Sequence, residues 1–158
     1  VGMFREANAF NQPLNTWNVS NVTKMDHMFQ DARAFNQPLN TWNVSKVTNM
    51  NRMFNGAISF NQPLNTWNVS NVTDMMCMFH NTTIGEKLNK HNLTNKQFFE
   101  SPTNKKVYHE LFVYPRMKEY IMFLNNNHFL PIHNQYIKHE YHPIFDMTDI
   151  SKYITTFV

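Results

Sequence analysis

The chain has 158 residues, a net charge of +3, a single cysteine and 42% hydrophobic residues. That is enough for one ordinary domain with a sizeable core and makes a multidomain enzyme unexpected. Cys77 alone excludes an intrachain disulfide, no basic stripe points to nucleic acid, and no run of about 18 apolar residues exists to cross a membrane as a helix.

Asparagine is abundant, with 24 copies, so the surface is polar through amides more than through Lys and Glu. The chain opens on Val1-Gly2 without a signal-like apolar stretch. That leaves open a start further upstream, with more repeats or a targeting segment before Val1.

The first half is built from a repeat. Residues 3–27, 28–52 and 53–77 align without gaps at a period of 25, and 17 of the 25 positions are identical in all three copies. A fourth copy begins at Met78-Phe79 and then fails. The block FNQPLNTWNVS recurs from Phe10, Phe35 and Phe60. Such self-similarity decides the fold before any other signal does.

Within a unit, the fixed residues Leu14, Trp17, Val19 and Val22 come first, interleaved with Thr16, Asn18 and Ser20. Trp17-Asn18-Val19 alternates in, out, in, which predicts a short strand with one buried face. Next, Met25, Met28, Phe29, Ala32 and Phe35 are fixed at spacings of 3, 4, 7 and 10, which predicts a short amphipathic helix. Thr23, Thr48 and Thr73 stand where its N-cap belongs, and Asn-Gln-Pro ends it. The predicted core comprises Met28, Met53 and Met78, Phe10, Phe35 and Phe60, and Trp17, Trp42 and Trp67 as a buried ladder, each indole N–H needing an acceptor. One unit is too small to bury its own Trp and Phe. Copies must stack, with strands about 4.8 Å apart in a parallel sheet.

The pattern L-x-x-W-x-V-x-x-V from Leu14, Leu39 and Leu64 resembles the leucine-rich-repeat core. The whole unit MFxxAxxFNQPLNTWNVSNVTxM is similar to the BspA-like leucine-rich-repeat family of 25-residue repeats, found in bacterial and mycoplasma surface lipoproteins, protists and large DNA viruses. That resemblance covers residues 3 to about 79. It implies an α/β repeat fold: a leucine-rich-repeat-like solenoid with one short parallel strand plus one short helix per 25-residue repeat. It also implies a cell-surface or extracellular protein with an adhesive or undefined role and no catalysis. Where the leucine-rich repeat carries its buried Asn, this chain has Asn21, Lys46 and Asn71, a departure from a continuous Asn ladder.

The expected organisation is a solenoid over residues 1–83, with three full repeats and a partial fourth, followed by a mostly helical or irregular tail over 84–158. All six Tyr and six of the eight His lie in that tail. It reads as a cap for the exposed end of the repeats or as a small separate module. Ser101-Pro102 opens one predicted helix carrying Val107, Tyr108, Leu111 and Phe112. Residues 116–124 and 148–154 predict two more.

Several residue groups invite a chemical reading. His133, His139 and His142, with His128 near them, lack the Cys partners and paired spacing of a zinc site and read as an incidental cluster. Seven Asn-x-Ser/Thr sequons, at Asn18, Asn21, Asn43, Asn68, Asn71, Asn81 and Asn92, are mostly a by-product of the repeat and read as mostly unglycosylated. With three Gly, no phosphate loop, no nucleophile elbow and no partner for Cys77, neither an enzyme nor a cofactor is expected. The leading expectation is an interaction module in a longer surface protein. Its candidate binding rows are Thr16/Thr41/Thr66, Asn18/Asn43/Asn68 and Ser20/Ser45/Ser70, outward positions that stay invariant although burial does not demand it. They would meet a protein or carbohydrate ligand, with no nucleic acid and no membrane span involved. Two alternatives stand beside it: a rigid structural spacer in a longer surface protein with no ligand of its own, and a His-rich C-terminal metal or catalytic module; an intracellular location is the alternative to the cell surface.

Overall fold

The computed structural model describes residues 1–100. The chain divides into two compact units, Val1–Phe112 and Val113–Val158, and every described residue belongs to the first. The helices expected after Ser101 and the group of His128, His133, His139 and His142 lie outside the described residues.

Each repeat is hydrogen-bonded to the next through its backbone. The N–H groups of Met25, His27, Phe29 and Asp31 donate to the carbonyls of Asn49, Asn51, Met53 and Asn55 at 2.7–2.9 Å. One repeat later, Met50, Arg52, Phe54 and Gly56 donate likewise to Asp74, Met76, Met78 and His80 at 2.8–3.0 Å. Other donors point the opposite way: Thr48 N–H to the Thr23 carbonyl at 2.8 Å and Thr73 N–H to that of Thr48 at 2.9 Å. Strand-type pairing among the described residues is limited to two parallel bridges, Lys24 with Asn49 and Asn49 with Asp74. No strand is formed at Trp17, Asn18 and Val19.

The segment predicted as a helix, residues 25–35, is a run of β-turns instead. The N–H groups of Met28, Gln30, Ala32 and Phe35 donate three residues back, to Met25, His27, Phe29 and Ala32 at 3.1–3.3 Å. The N–H groups of Phe29 and Asp31 donate to the next repeat and that of Ala34 to Asn8 of the preceding one, so the four-residue bonding of an α-helix cannot form. His27 and Asp31 adopt φ of 58° and 55°, the left-handed region that the third residue of a type II turn requires. Arg52 and Gly56, then Cys77 and Asn81, repeat that conformation. A right-handed helix admits no such residue, since each would cost about 1–2 kcal/mol. Thr48 and Thr73 accordingly cap no helix; their hydroxyls donate to the Thr23 and Thr48 carbonyls at 3.1 Å.

The turns still bury the fixed positions, because each returns a side chain inward every three or four residues. Met25, Met28, Phe29, Ala32 and Phe35 are all buried, as are their equivalents Met50, Met53, Phe54, Ala57 and Phe60. Two columns of rings run along the repeats. Phe4, Phe29, Phe54 and Phe79 stack at 5.4, 5.5 and 5.9 Å, and Phe10, Phe35 and Phe60 at 5.9 and 6.0 Å. Within a repeat the columns touch, at 4.2 Å for Phe29 and Phe35 and 4.0 Å for Phe54 and Phe60. Offset stacking of this kind adds roughly 0.5–1.5 kcal/mol per pair beyond simple burial.

The tryptophans pack on phenylalanines: Trp42 tilts against Phe29 and Trp67 against Phe54. Their indole N–H groups find acceptors in the preceding repeat, the Leu14 carbonyl for Trp42 at 2.9 Å and the Leu39 carbonyl for Trp67 at 3.0 Å. Trp17, expected in the same buried ladder, is 41% exposed and has no such acceptor among the described residues. The reason is its place in the first repeat, with no repeat in front of it among the described residues.

After the fourth Met-Phe pair the chain changes to helix. Thr82, at the position of Ala7, Ala32 and Ala57, is the N-cap of α1 (Thr83–Lys90): its buried hydroxyl donates to Phe79 O and accepts from Gly85 N–H. Asn92, at φ 53°, follows the end of α1 as a left-handed residue, and Leu93 N–H reaches back to the Leu88 carbonyl. Thr94 and Gln97 then form a reciprocal capping box at the start of α2 (Asn95–Glu100). Ile84, Leu88 and Phe98 join the same core as the repeats. Phe98 meets Phe79 edge-on at 5.6 Å, and Phe99 lies parallel to Trp67 at 6.4 Å. The ring columns are thus covered at this end by residues 84–99.

Candidate binding surface

Three side-chain rows follow from the repeat register, and each has a bonding role of its own. In the first, the Thr41 and Thr66 hydroxyls donate to the carbonyls of Asn15 and Asn40 in the preceding repeat, both at 2.8 Å. Their invariance is therefore explained by contact between repeats. The hydroxyl of Thr16 has no preceding repeat to bond.

The second and third rows act together. Asn18 Oδ1 accepts from Ser20 N–H at 3.1 Å and from its hydroxyl at 2.7 Å. Asn43 and Asn68 accept from the N–H groups of Ser45 and Ser70, each at 3.1 Å. These are Asx-turns, local bonds that hold the chain direction after each Trp. Asn18, Asn43 and Asn68 are exposed. Their oxygens are occupied, whereas their Nδ2 groups donate to nothing among the described residues. What the row offers outward is a line of amide donors, one per repeat.

A ladder runs beside these rows through the Asn-Gln-Pro segments expected only to end a helix. Asn36 N–H donates to Asn11 Oδ1, and Asn61 N–H to Asn36 Oδ1, both at 2.9 Å. Gln37 Nε2 reaches the Asn11 carbonyl and Oδ1, and Gln62 Nε2 reaches the same atoms of Asn36, at 3.0–3.1 Å. The signal was the identical Asn-Gln-Pro in every copy. The position of the leucine-rich-repeat Asn behaves differently: Asn21, Lys46 and Asn71 are all exposed, with Lys46 Nζ bonded to Asn21 Oδ1 at 2.8 Å.

Charge is sparse on this surface. Asp74 stands out, its carboxyl held below the usual carboxylate range chiefly by the Met76 N–H and further by the Asn51 side-chain amide. Among the described residues no three of His, Cys, Asp and Glu come together as a metal site. A cavity of about 280 Å³ opens where the last repeat meets α1 and α2, lined by Cys77, His80, Leu88 and Asn95 among others. No described helix is long and apolar enough to cross a membrane.

Residues 1–105 match the family described as Mycoplasma protein of unknown function, DUF285. No curated protein and no solved structure matches the chain. The matched stretch covers about two-thirds of the sequence, and the chain belongs to that family.

Proposed function

We propose that this member of a mycoplasma family is a non-catalytic interaction module. Its repeats form a leucine-rich-repeat-like solenoid of the BspA type, part of a longer protein on the cell surface, and it needs no cofactor. The observation that carries the reading is the line of exposed Nδ2 donors on Asn18, Asn43 and Asn68, left over while their Oδ1 atoms accept from Ser20, Ser45 and Ser70.

Amide donors at a regular spacing suit a ligand with regularly spaced acceptors, such as the hydroxyl and ring oxygens of an oligosaccharide or the carbonyls of an extended peptide. Each such bond contributes only about 1 kcal/mol net, so affinity would come from several repeats acting together. The Thr and Ser rows support this function indirectly, by holding each Asn in register.

Replacing the three Asn by Ala would confound the test, since it also removes the turns at Ser20, Ser45 and Ser70. The triple substitution Asn18→Asp, Asn43→Asp and Asn68→Asp keeps every Oδ1 acceptor and deletes the donors. Wild type is expected to bind at least one member of a panel of immobilised oligosaccharides and host-surface proteins, and the triple variant to lose that binding at unchanged thermal stability. Equal binding by the two would place the ligand away from the Asn rows and refute their role, and binding by neither across the panel would favour a spacer without a ligand.

A further inference from the structure

Where the chain turns into α1, part of the backbone of the last Met-Phe turn is left without a partner. At both earlier junctions alternate N–H groups reach forward: those of His27 and Phe29 to the carbonyls of Asn51 and Met53, and those of Arg52 and Phe54 to Met76 and Met78. Cys77 and Phe79 hold the same places one repeat later. Cys77 keeps the left-handed backbone of His27 and Arg52, with φ of 54° against 58° and 51°. The bonds from Met78 to Met75 and from His80 to Cys77 repeat those from Met28 to Met25 and from Gln30 to His27. The N–H groups of Cys77 and Phe79 therefore point forward in the same way, yet neither has an acceptor among the described residues. Phe79 is wholly buried, and a buried backbone donor left unmet is rare in a folded chain.

The cavity of about 280 Å³ lies along this stretch. It is a gap between two fixed points. At one, Asn95 Nδ2 donates to the Met75 carbonyl at 2.7 Å; at the other, Gly85 sits so close to the Phe79 carbonyl that a Cβ has no room. Between them Cys77 and Phe79 form one wall, and Leu88 of α1 with Leu93 of the linker to α2 forms another. No Lys, Arg, Asp or Glu among the described residues lines it.

These features select one kind of occupant. Two donors on alternate residues need two acceptors separated by one residue, which an extended chain supplies through the carbonyls on one of its edges. A carboxylate or phosphate would bring a charge that nothing on the wall balances. The volume lies below the roughly 300–1,000 Å³ of a cofactor pocket and suits a short stretch of backbone with an apolar side chain. A further repeat has no place here, because Phe98 and Phe99 already pack on Phe79 and Trp67.

We propose that this cavity is a peptide site. An internal, uncharged segment of a partner protein docks in extended form, its alternate carbonyls accept from the N–H groups of Cys77 and Phe79, and one apolar side chain enters against Leu88 and Leu93. The site is separate from the Asn rows and independent of any ligand there.

The probes are N-acetylated, C-amidated tetrapeptides of alanine with leucine, valine, methionine or phenylalanine at the second position, added to the isotopically labelled full-length chain. One readout is the amide resonances of Cys77 and Phe79. The other is the rate at which Cys77, the only thiol of the chain, reacts with a small disulfide reagent. At least one peptide should move both resonances downfield to saturation and slow thiol labelling several-fold. An analogue of that peptide with alkene isosteres in place of the accepting amides should do neither. Asn89→Trp, which puts a large ring at the exposed rim of the cavity, should abolish both effects with circular dichroism unchanged. The proposal is overturned if no peptide of the set perturbs the two amides, if the alkene analogue binds as well as its parent, or if a folded Asn89→Trp variant binds like wild type. Tighter binding of a free-acid peptide than of its capped form would also overturn it, since the site would then hold a carboxylate. Should Asn89→Trp fail to fold, the alkene analogue decides alone.

Discussion

One substitution made at three equivalent positions separates packing between repeats from packing within them. Trp42→Phe removes an indole N–H that donates to the Leu14 carbonyl at 2.9 Å from a side chain only 2% exposed. The hydrogen bond is worth about 1 kcal/mol net. The volume vacated by the smaller ring adds roughly 1–2 kcal/mol in a core that relaxes only in part. The Leu14 carbonyl keeps the Trp17 N–H as a donor at 3.0 Å, so no orphaned acceptor increases the cost. The sum is about 2–3 kcal/mol, or roughly 10–20 °C in Tm for a unit of this size. Trp67→Phe should match it and lose in addition part of the stack on Phe99. Trp17→Phe, exposed and without an acceptor, should cost under about 1 kcal/mol. Urea unfolding followed by far-ultraviolet circular dichroism gives the comparison, since the substitutions themselves alter fluorescence, and equal m-values would keep the three on one scale. Equal losses at all three positions would refute the reasoning, because they would place the value of Trp inside its own repeat.

Gly85→Ala should destabilise the protein although it exchanges a poor helix former for the best one. A Cβ at Gly85 would run into the backbone carbonyl of Phe79, which has no side-chain freedom with which to yield, and would disturb the Thr82 cap; a raised Tm would contradict this account of the turn into α1. Asp74 supplies an acid-sensitive contribution. Its folded-state pKa is lowered, so the stability it adds is present above the unfolded value of about 3.9 and is lost as pH falls through the folded value below that. The difference in urea midpoint between wild type and Asp74→Asn should therefore shrink on acidification below about pH 4, and a difference constant with pH would show that the Met76 and Asn51 contacts do not favour the ionised form.

The period of 25 and the identity of the buried residues were legible in the sequence, because burial follows from which positions the copies hold fixed. Backbone conformation was less so. Buried residues at spacings of 3, 4, 7 and 10 satisfy a helix and a train of three-residue turns alike, and periodicity alone cannot separate them. The discriminating signal sat outside the fixed positions: Glu6, Asp31, Gly56 and Asn81 share one place in the repeat, and Gly, Asn and Asp are the types that accept φ above zero. The Asn, Thr and Ser rows were found, but their invariance was read as a sign of a ligand when bonds between repeats and Asx-turns already require much of it. The ladder of Asn11, Asn36 and Asn61 left one sign, the identical Asn-Gln-Pro in every copy, but that tripeptide equally suits a helix end and so did not reveal a bond between copies.

The hydrogen bonds between repeats join residues whose numbers differ by 24 to 28 in the ladders of backbone, Thr, Trp and Asn described above. Removal or insertion of a whole unit of 25 residues reconnects each such donor to an equivalent acceptor, whereas loss of 24 or 26 residues displaces all of them at once. A gene carrying such a tract can lengthen or shorten by 75 nucleotides without encountering an unstable intermediate length. Copy number is in this sense the softest coordinate of the molecule, and the residue count within a copy is the hardest.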